Sequence, residues 1–282
     1  MKTLITGASG FIGKSLIKQP LPGQIHTVSR KQTSKKSYGV IEHVGDLQDT
    51  NFLNYLAKQK FERLIHLAWS DLPELTPENN IVNLTTSKNL VEVLVDSGVS
   101  EINISGSCLE YGDLETCVSE DLTGTNIGHF GECKLDLLQT VQELGIPYRW
   151  LRIFYAYGPN QHPNSLLSAA YESALKQVSF HPKDPMLARD FVFVSDVASA
   201  FVQLMNQKNA TGVFNVGSGK STGILEMLSH LHFQLGASRI DFKVSRPSLH
   251  ADLRKIETAC GWKPEVDHLE GVKRFIDWQR NK

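Results

Sequence analysis

The chain has 282 residues, with 29 Lys and Arg against 30 Asp and Glu, a formal charge of −1 and four cysteines. A chain of this length can bury most of its apolar surface in one large domain, or a domain with a smaller lobe, without disulfide or metal staples. Charges of both signs are interspersed, which leaves no basic footprint and excludes nucleic acid as a main partner.

Cys108, Cys117, Cys133 and Cys260 form no CxxC pair and have no histidines spaced near them for zinc. They read as free thiols in a reducing compartment, with no metal expected. The opening "MKTLITGASGFIG" breaks into glycines too early for a secretory signal, and no window approaches the roughly 20 apolar residues of a spanning helix. A soluble, cytoplasmic protein with no membrane partner is expected.

In chain order, "TLITG" predicts a strand and "GFIGKSLIKQ" a helix. "IHTVSR", "YGVIEHVGDL", "RLIHLAW" and "EINISGS" follow as strands. "NNIVNLTTSKNLVEVLVDSG" has helical spacing and stops at a glycine. "FGECKLDLLQTVQELG" is another helix and "YRWLRIFYAYG" a strand. Apolar strands separated by helices imply an α/β fold, a doubly wound parallel sheet covered on both faces. Beyond about residue 155 the pattern loosens. "SLLSAAYESALKQ" is helical, "RDFVFVSDVASAFVQLMNQ" runs from strand to helix and "GVFNVGSGKS" reads as a turn-rich strand; "GILEMLSHLHFQLG", "IDFKVSR" and two more short helical patterns follow. The division expected is a Rossmann domain over 1–158 and a smaller α/β lobe over 159–282, with about 190–218 packing back on the first.

Gly7, Gly10 and Gly13 stand between the first strand and the first helix in G-x-x-G-x-x-G spacing. A tight turn there needs glycine, a pyrophosphate needs a missing side chain, and the helix N-terminus supplies positive potential. The strand-before, helix-after context makes this a dinucleotide-binding signal. At the end of the second strand, an acid would accept hydrogen bonds from a free ribose 2′-hydroxyl. Ser29, Arg30 and Lys31 stand there instead and suit a 2′-phosphate, so NADP(H) is favoured over NAD(H). Asp46 and Leu47, in "GDLQD", are placed to flank the adenine, although Asp46 serves equally as an N-cap of the next helix.

"TGASGFIG", "GDLQD", "LIHLAW", "NLTTSKNLVEVL", "GSCLEYG", "FGECK", "LRIFYAYGP", "RDFVFVSDVASAF", "FNVGSGKST" and "GWKPE" occur in that order. From Thr3 to about Glu265 the chain resembles an extended short-chain dehydrogenase/reductase of the nucleotide-sugar epimerase, dehydratase and reductase family. The resemblance implies a Rossmann domain for NAD(P), a C-terminal lobe for a nucleoside-diphosphate sugar, and a Ser/Thr–Tyr–Lys catalytic set. Ser9, Phe11, Ile12, Leu67, Ala68 and Ser105 join the glycines as cofactor-binding candidates. Ser107, four residues before Tyr111, matches the hydroxyl member. Lys134 matches the lysine that holds the nicotinamide ribose and depresses the tyrosine's pKa. Phe130 falls on the tyrosine itself.

Phenylalanine keeps the ring but cannot donate a proton to the oxygen that becomes negative when a ketone accepts hydride. Three explanations stay open: an engineered Tyr-to-Phe exchange, a natural enzyme with another donor such as Ser107, Tyr155 or water, and a binding relative without turnover. Family members that eliminate water carry an Asp–Glu pair directly after the hydroxyl residue; Cys108 and Leu109 stand there, which disfavours a dehydratase. Those that epimerise before reducing use a cysteine two residues after the serine and a histidine in a later loop. Cys108 is one residue early and His162 is not in register, so Cys108 reads better as a packing residue beside the substrate. Arg30 and Lys31 favour an NADPH-consuming 4-ketoreductase over a 4-epimerase. The motifs resemble most the reductases of 4-keto-6-deoxyhexoses in bacterial deoxysugar and surface-polysaccharide synthesis. Arg189 and Arg246 match arginines that contact the substrate diphosphate, where a bidentate guanidinium suits phosphate. Tyr155 stands near the expected sugar. The resemblance also implies a homodimer, formed by helices at about 79–97 and 130–144.

Overall fold

A computed structural model describes residues 1–32, 39–72, 76–236 and 248–282. The elements run β1 (Lys2–Thr6), α1 (Phe11–Leu16), β2 (Gln24–Ser29), β3 (Val40–Val44), α2 (Thr50–Lys58), β4 (Arg63–His66), α3 (Pro77–Asp96) and β5 (Glu101–Ser107). A 3₁₀ turn over Cys108–Tyr111 leads to β6 (Cys117–Val118), α4 (His129–Glu143), β7 (Tyr148–Ile153), β8 (Tyr155–Tyr157) and α5 (Leu166–Leu175). Then come β9 (Ala188–Arg189), β10 (Phe191–Phe193), α6 (Val194–Met205), β11 (Gly212–Val216), β12 (Thr222–Gly223), α7 (Ile224–Gln234), β13 (His250–Ala251), α8 (Arg254–Cys260) and α9 (His268–Arg280). The segment "IDFKVSR", with Arg246, lies outside the described residues.

Seven strands form one sheet in the order β11-β7-β5-β4-β1-β2-β3, every pairing parallel. Strand alternation divides its buried side chains between two faces. Ile5, Ile65, Leu151 and Phe214 pack with Leu16 of α1, Phe201 of α6 and Ile256 of α8. Leu4, Leu64, Ile102 and Trp150 pack with Leu56 of α2, Leu90 of α3 and Leu137 of α4. This is a doubly wound α/β architecture. The chain winds outward from β1 in one direction through β2 and β3, and in the other through β4 and β5. The reversal opens a crevice at the carboxyl ends of β1 and β4, the place where this architecture binds ligands.

A separate apolar cluster joins Tyr157, Tyr171, Phe193, Met227 and Phe275, from β8, α5, β10, α7 and α9. Between the two lies a small cluster of Cys108, Tyr111, Val118, Phe154, Leu249 and Ala251. The loops after β5 and β7 therefore emerge where the sheet meets the later helices. Among the described residues, no helix is long and apolar enough to cross a membrane.

Candidate active site

The glycine loop is closed around its own backbone. Gly7 has φ +73, and a Cβ there would stand 2.7 Å from both the Ala68 nitrogen and the Leu67 carbonyl carbon. A Cβ on Gly13 would overlap the Gly7 carbonyl oxygen. These two positions admit only glycine, since backbone atoms cannot swing away as side chains do. The Gly10 nitrogen donates to the Gly7 oxygen at 3.0 Å, and Gly10 caps α1 with no side-chain bond over the helix start. Ser9 and Gly10 are exposed, with Phe11 and Ile12 half-buried behind them. Leu67 and Ala68 are thus brought onto the loop across the β1–β4 crevice.

At the end of β2, Arg30 and Lys31 are exposed. The Ser29 hydroxyl lies 2.8 Å from the Lys31 carbonyl oxygen and 2.7 Å from Glu42 Oε1. Sequence reading missed Glu42. It sits opposite Thr27 in the β2–β3 register, and so shares a face with Ser29 two residues further on. Only the strand pairing reveals this carboxylate. Asp46 does not cap α2. Its side chain accepts from the Gln48 nitrogen at 3.0 Å, and Asp49 is the N-cap, accepting from Asn51 at 2.8 Å. The chain makes one more turn, Asp49 nitrogen to Asp46 oxygen, before the helix can begin. Leu47 packs partly against the α2–α3 core.

Ser107 closes β5 and caps the 3₁₀ turn. Its Oγ accepts from the Leu109 nitrogen at 3.1 Å, and its own N–H donates to Glu110 Oε1 at 2.7 Å. The capping bond uses an oxygen lone pair and leaves the hydroxyl hydrogen for another acceptor. Glu110 is buried and also accepts from Trp150 Nε1 and, at 2.7 Å, from Arg152 Nε. A buried ion pair therefore anchors the loop that carries Ser107.

Phe130 is half-buried in the first turn of α4, edge-on to Trp69 with ring centroids 5.5 Å apart. One turn later Lys134 is 3% exposed and donates to the Ser105 carbonyl at 3.0 Å. Its Nζ lies 3.9 Å from the Trp69 ring centroid and 5.7 Å from that of Phe130. Burial pushes the ammonium down to about 7, against the opposing pull of Glu110 and Cys133. His66, held by Thr6 Oγ1 at 2.6 Å and Ser87 Oγ at 2.9 Å, is driven to about 3, by burial first and Lys134 second. Trp69 is the second residue the sequence did not disclose. "LIHLAW" marks a strand end, but not that its last ring covers a lysine arriving from α4.

On the other side of Ser107, Cys108 is buried, and burial raises its thiol. It packs with Tyr111 and Phe154, as a small core residue does. Tyr155 is pushed up to about 12 by burial, then by Cys108. The Arg189 guanidinium lies over the Tyr155 ring at 5.1 Å and donates to the Ala188 carbonyl. Cys108, Tyr155 and Arg189 are thus neighbours. Next to Arg189, the buried Asp190 carboxylate accepts from the Ser218 hydroxyl at 2.7 Å, the Gly219 nitrogen at 3.0 Å and the Ala251 nitrogen at 2.9 Å, tying the β11–β12 loop and β13 to the β9–β10 junction. His162 is exposed and accepts from the Asn164 nitrogen within its own turn.

Residues 3–217 match the model of the NAD dependent epimerase/dehydratase family. The chain belongs to this family. Its relatives there include the UDP-glucose 4-epimerase of Mycolicibacterium smegmatis, 26% identical over 321 residues that cover 100% of this chain and 99% of the relative. They also include the dTDP-4-dehydro-6-deoxyglucose reductase of Escherichia coli, 24% identical over 97% of this chain and 96% of that one. Among solved structures, MoeE5 in complex with UDP-glucose and NAD is 25% identical, with a TM-score of 0.83, covering 100% of this chain and 99% of that chain. In this epimerase/dehydratase family member, Trp69 and Phe130 both border the buried Lys134.

Proposed function

We propose that this protein transfers a hydride from NADPH to C4 of a nucleoside-diphosphate 4-keto-6-deoxyhexose, in bacterial deoxysugar and surface-polysaccharide synthesis. The observation that carries the reading is the pair of exposed cations, Arg30 and Lys31, at the end of β2, where a 2′-phosphate would lie. The full-length likeness to the Escherichia coli reductase supports it. The residues present fit a nicotinamide dinucleotide: the cradle at Gly7 and Gly13 admits no Cβ, and Gly10 is exposed at the helix start with no side-chain cap. When bound, the nicotinamide supplies the hydride. Gly7, Ser9, Gly10, Phe11, Ile12 and Gly13 would hold the pyrophosphate, with Leu67 and Ala68 behind it, Asp46 and Leu47 at the adenine, and Ser105 and Lys134 at the nicotinamide end.

Ser107 would hydrogen-bond the carbonyl oxygen. Cys108, Tyr155, Arg189 and Arg246 would receive the sugar diphosphate. Residues 1–158 would act as the cofactor domain and 159–282 as the sugar-nucleotide lobe of a cytoplasmic homodimer. Phe130 cannot give a proton, so position 130 does not supply the general acid that typically contributes 10²–10⁴-fold, or roughly 3–5 kcal/mol of barrier.

A second reading, an NDP-sugar 4-epimerase that recycles a bound NAD, is favoured by Glu42 beside Ser29, since a carboxylate there suits a free 2′-hydroxyl. Calorimetric titration with NADPH and NADH separates the two. The reductase reading expects NADPH to bind at least about tenfold more tightly, a difference near 1.4 kcal/mol. It also expects Glu42→Gln to widen that gap. Tighter NADH, or NAD that stays with the protein through purification, moves the epimerase to the front.

A further inference from the structure

The site holds a lysine in unusual company. Lys134 is 3% exposed, yet among the described residues no carboxylate is bonded to its ammonium. The nearby Glu110 is engaged by Arg152, Trp150 and the Ser107 N–H. The bonded acceptor of Lys134 is one backbone carbonyl, that of Ser105, which leaves further N–H bonds for another acceptor. Beyond that carbonyl, the face of the Trp69 indole supports the charge from 3.9 Å, in a buried cation–π contact. The Phe130 ring, with nothing to donate, borders the same ammonium at 5.7 Å.

We propose that Lys134, clasped by Trp69, is itself the proton donor of this site, in place of a phenol at position 130. This rests on the reductase reading above, with a dihydronicotinamide as the two-electron reductant. Once the carbonyl carbon has accepted hydride, its oxygen carries the electron pair of the broken C=O π bond. That oxygen takes a proton from Nζ, directly or through one water. One N–H bond breaks, one O–H bond forms, and Lys134 is left as a neutral amine that regains its proton from solvent. The groups facing Nζ allow this near neutral pH. His66 from β4 is neutral there, Glu110 from the 3₁₀ turn and Cys133 on α4 pull the lysine upward, and burial outweighs them, setting it at about 7. An acid is most effective when its pKa lies near the working pH. Trp69 is then a positioning residue, holding the cation without neutralising it.

Arginine keeps the charge and the donors but cannot release a proton at working pH, so Lys134→Arg separates an acid from a mere cation. Single-turnover reduction at saturating NADPH should fall by about 10²–10⁴-fold in Lys134→Arg. In the parent the rate should be level at low pH and then fall about tenfold per pH unit above about 7. A second readout needs no turnover. In the cofactor-free chain, NMR of ¹³C-labelled lysine should show the Lys134 Cε titrating near 7, and Trp69→Leu should move that midpoint. A midpoint above about 10, the ordinary lysine value, overturns the proposal, as does a Lys134→Arg rate equal to the parent's. If both the parent and Phe130→Tyr reduce a substrate and Lys134→Arg keeps pace, the acid role alone fails. If neither parent nor Phe130→Tyr reduces any substrate, the reductase reading fails and takes the acid role with it.

Discussion

The two ends of the β1–β4 crevice are built on opposite principles. At the glycine loop, the backbone has been cleared of side chains: Gly7 and Gly13 tolerate no Cβ, and α1 begins without a capping side chain. At the start of α4 the space is filled instead, with Trp69, Phe130 and Lys134 in mutual contact. An anion is received by bare N–H groups, so one end of the site needs absence. A proton is managed by a group whose charge the surroundings hold in balance, so the other needs packing. In the proposed function the first principle serves the cofactor, and the second is altered by the absence of a phenol at position 130.

The largest effect should come from the support of the altered end. Arg152→Met leaves Glu110 buried without its ion pair beneath Ser107. Unfolding free energy should drop by about 3–5 kcal/mol in urea titration. A loss under about 1 kcal/mol would mean that the Ser107 loop does not depend on this pair. At the cleared end, Gly13→Ala drives a methyl group into the Gly7 carbonyl. It should cost about 1–3 kcal/mol and weaken cofactor binding in the same variant. Intact NADPH and NADH affinity with unchanged stability would show that the loop does not need to be bare.

The smallest effect is graded with pH and concerns the buried bases around both ends. Burial holds His26 and His43 below the usual histidine value, and His66 at about 3. The folded chain therefore keeps them neutral, while the unfolded chain takes up protons as pH falls below about 6.5. Their contribution is complete above that pH and is lost progressively on the way down, for His66 as far as about 3. Lys134 acts in the same direction higher up. Between about 7 and the ordinary lysine value the unfolded chain binds a proton that the folded chain has released, so stability rises with pH there. Urea midpoints from pH 4 to 10 should climb through both windows, and Lys134→Met should flatten the upper one.

The glycine loop was legible in the sequence because its reasons are local: three glycines, a strand before and a helix after. The sheet was legible too, since Leu4 and Ile5, or Leu64 and Ile65, must each find a covered face. The polar interior was not. His66, Asn103 and Arg149 are buried within strands whose apolar neighbours alone marked them as core. Glu42 needed the β2–β3 register, and Trp69 needed β4 and α4 to meet across the crevice. The N-cap of α2 moved from Asp46 to Asp49 because one more turn intervenes. What depended on neighbours in the chain could be read, and what depended on neighbours in space could not.

The proposed function is hydride transfer to a nucleotide sugar at a site that lacks the phenol. The most direct measurement is NADPH consumption with a panel of 4-keto-6-deoxyhexose nucleotides, comparing this chain with Phe130→Tyr. Turnover on one substrate by both forms is expected, with the tyrosine form faster by less than the 10²–10⁴-fold that a general acid usually contributes, because Lys134 already donates the proton. Silence of both forms on every nucleotide would contradict it.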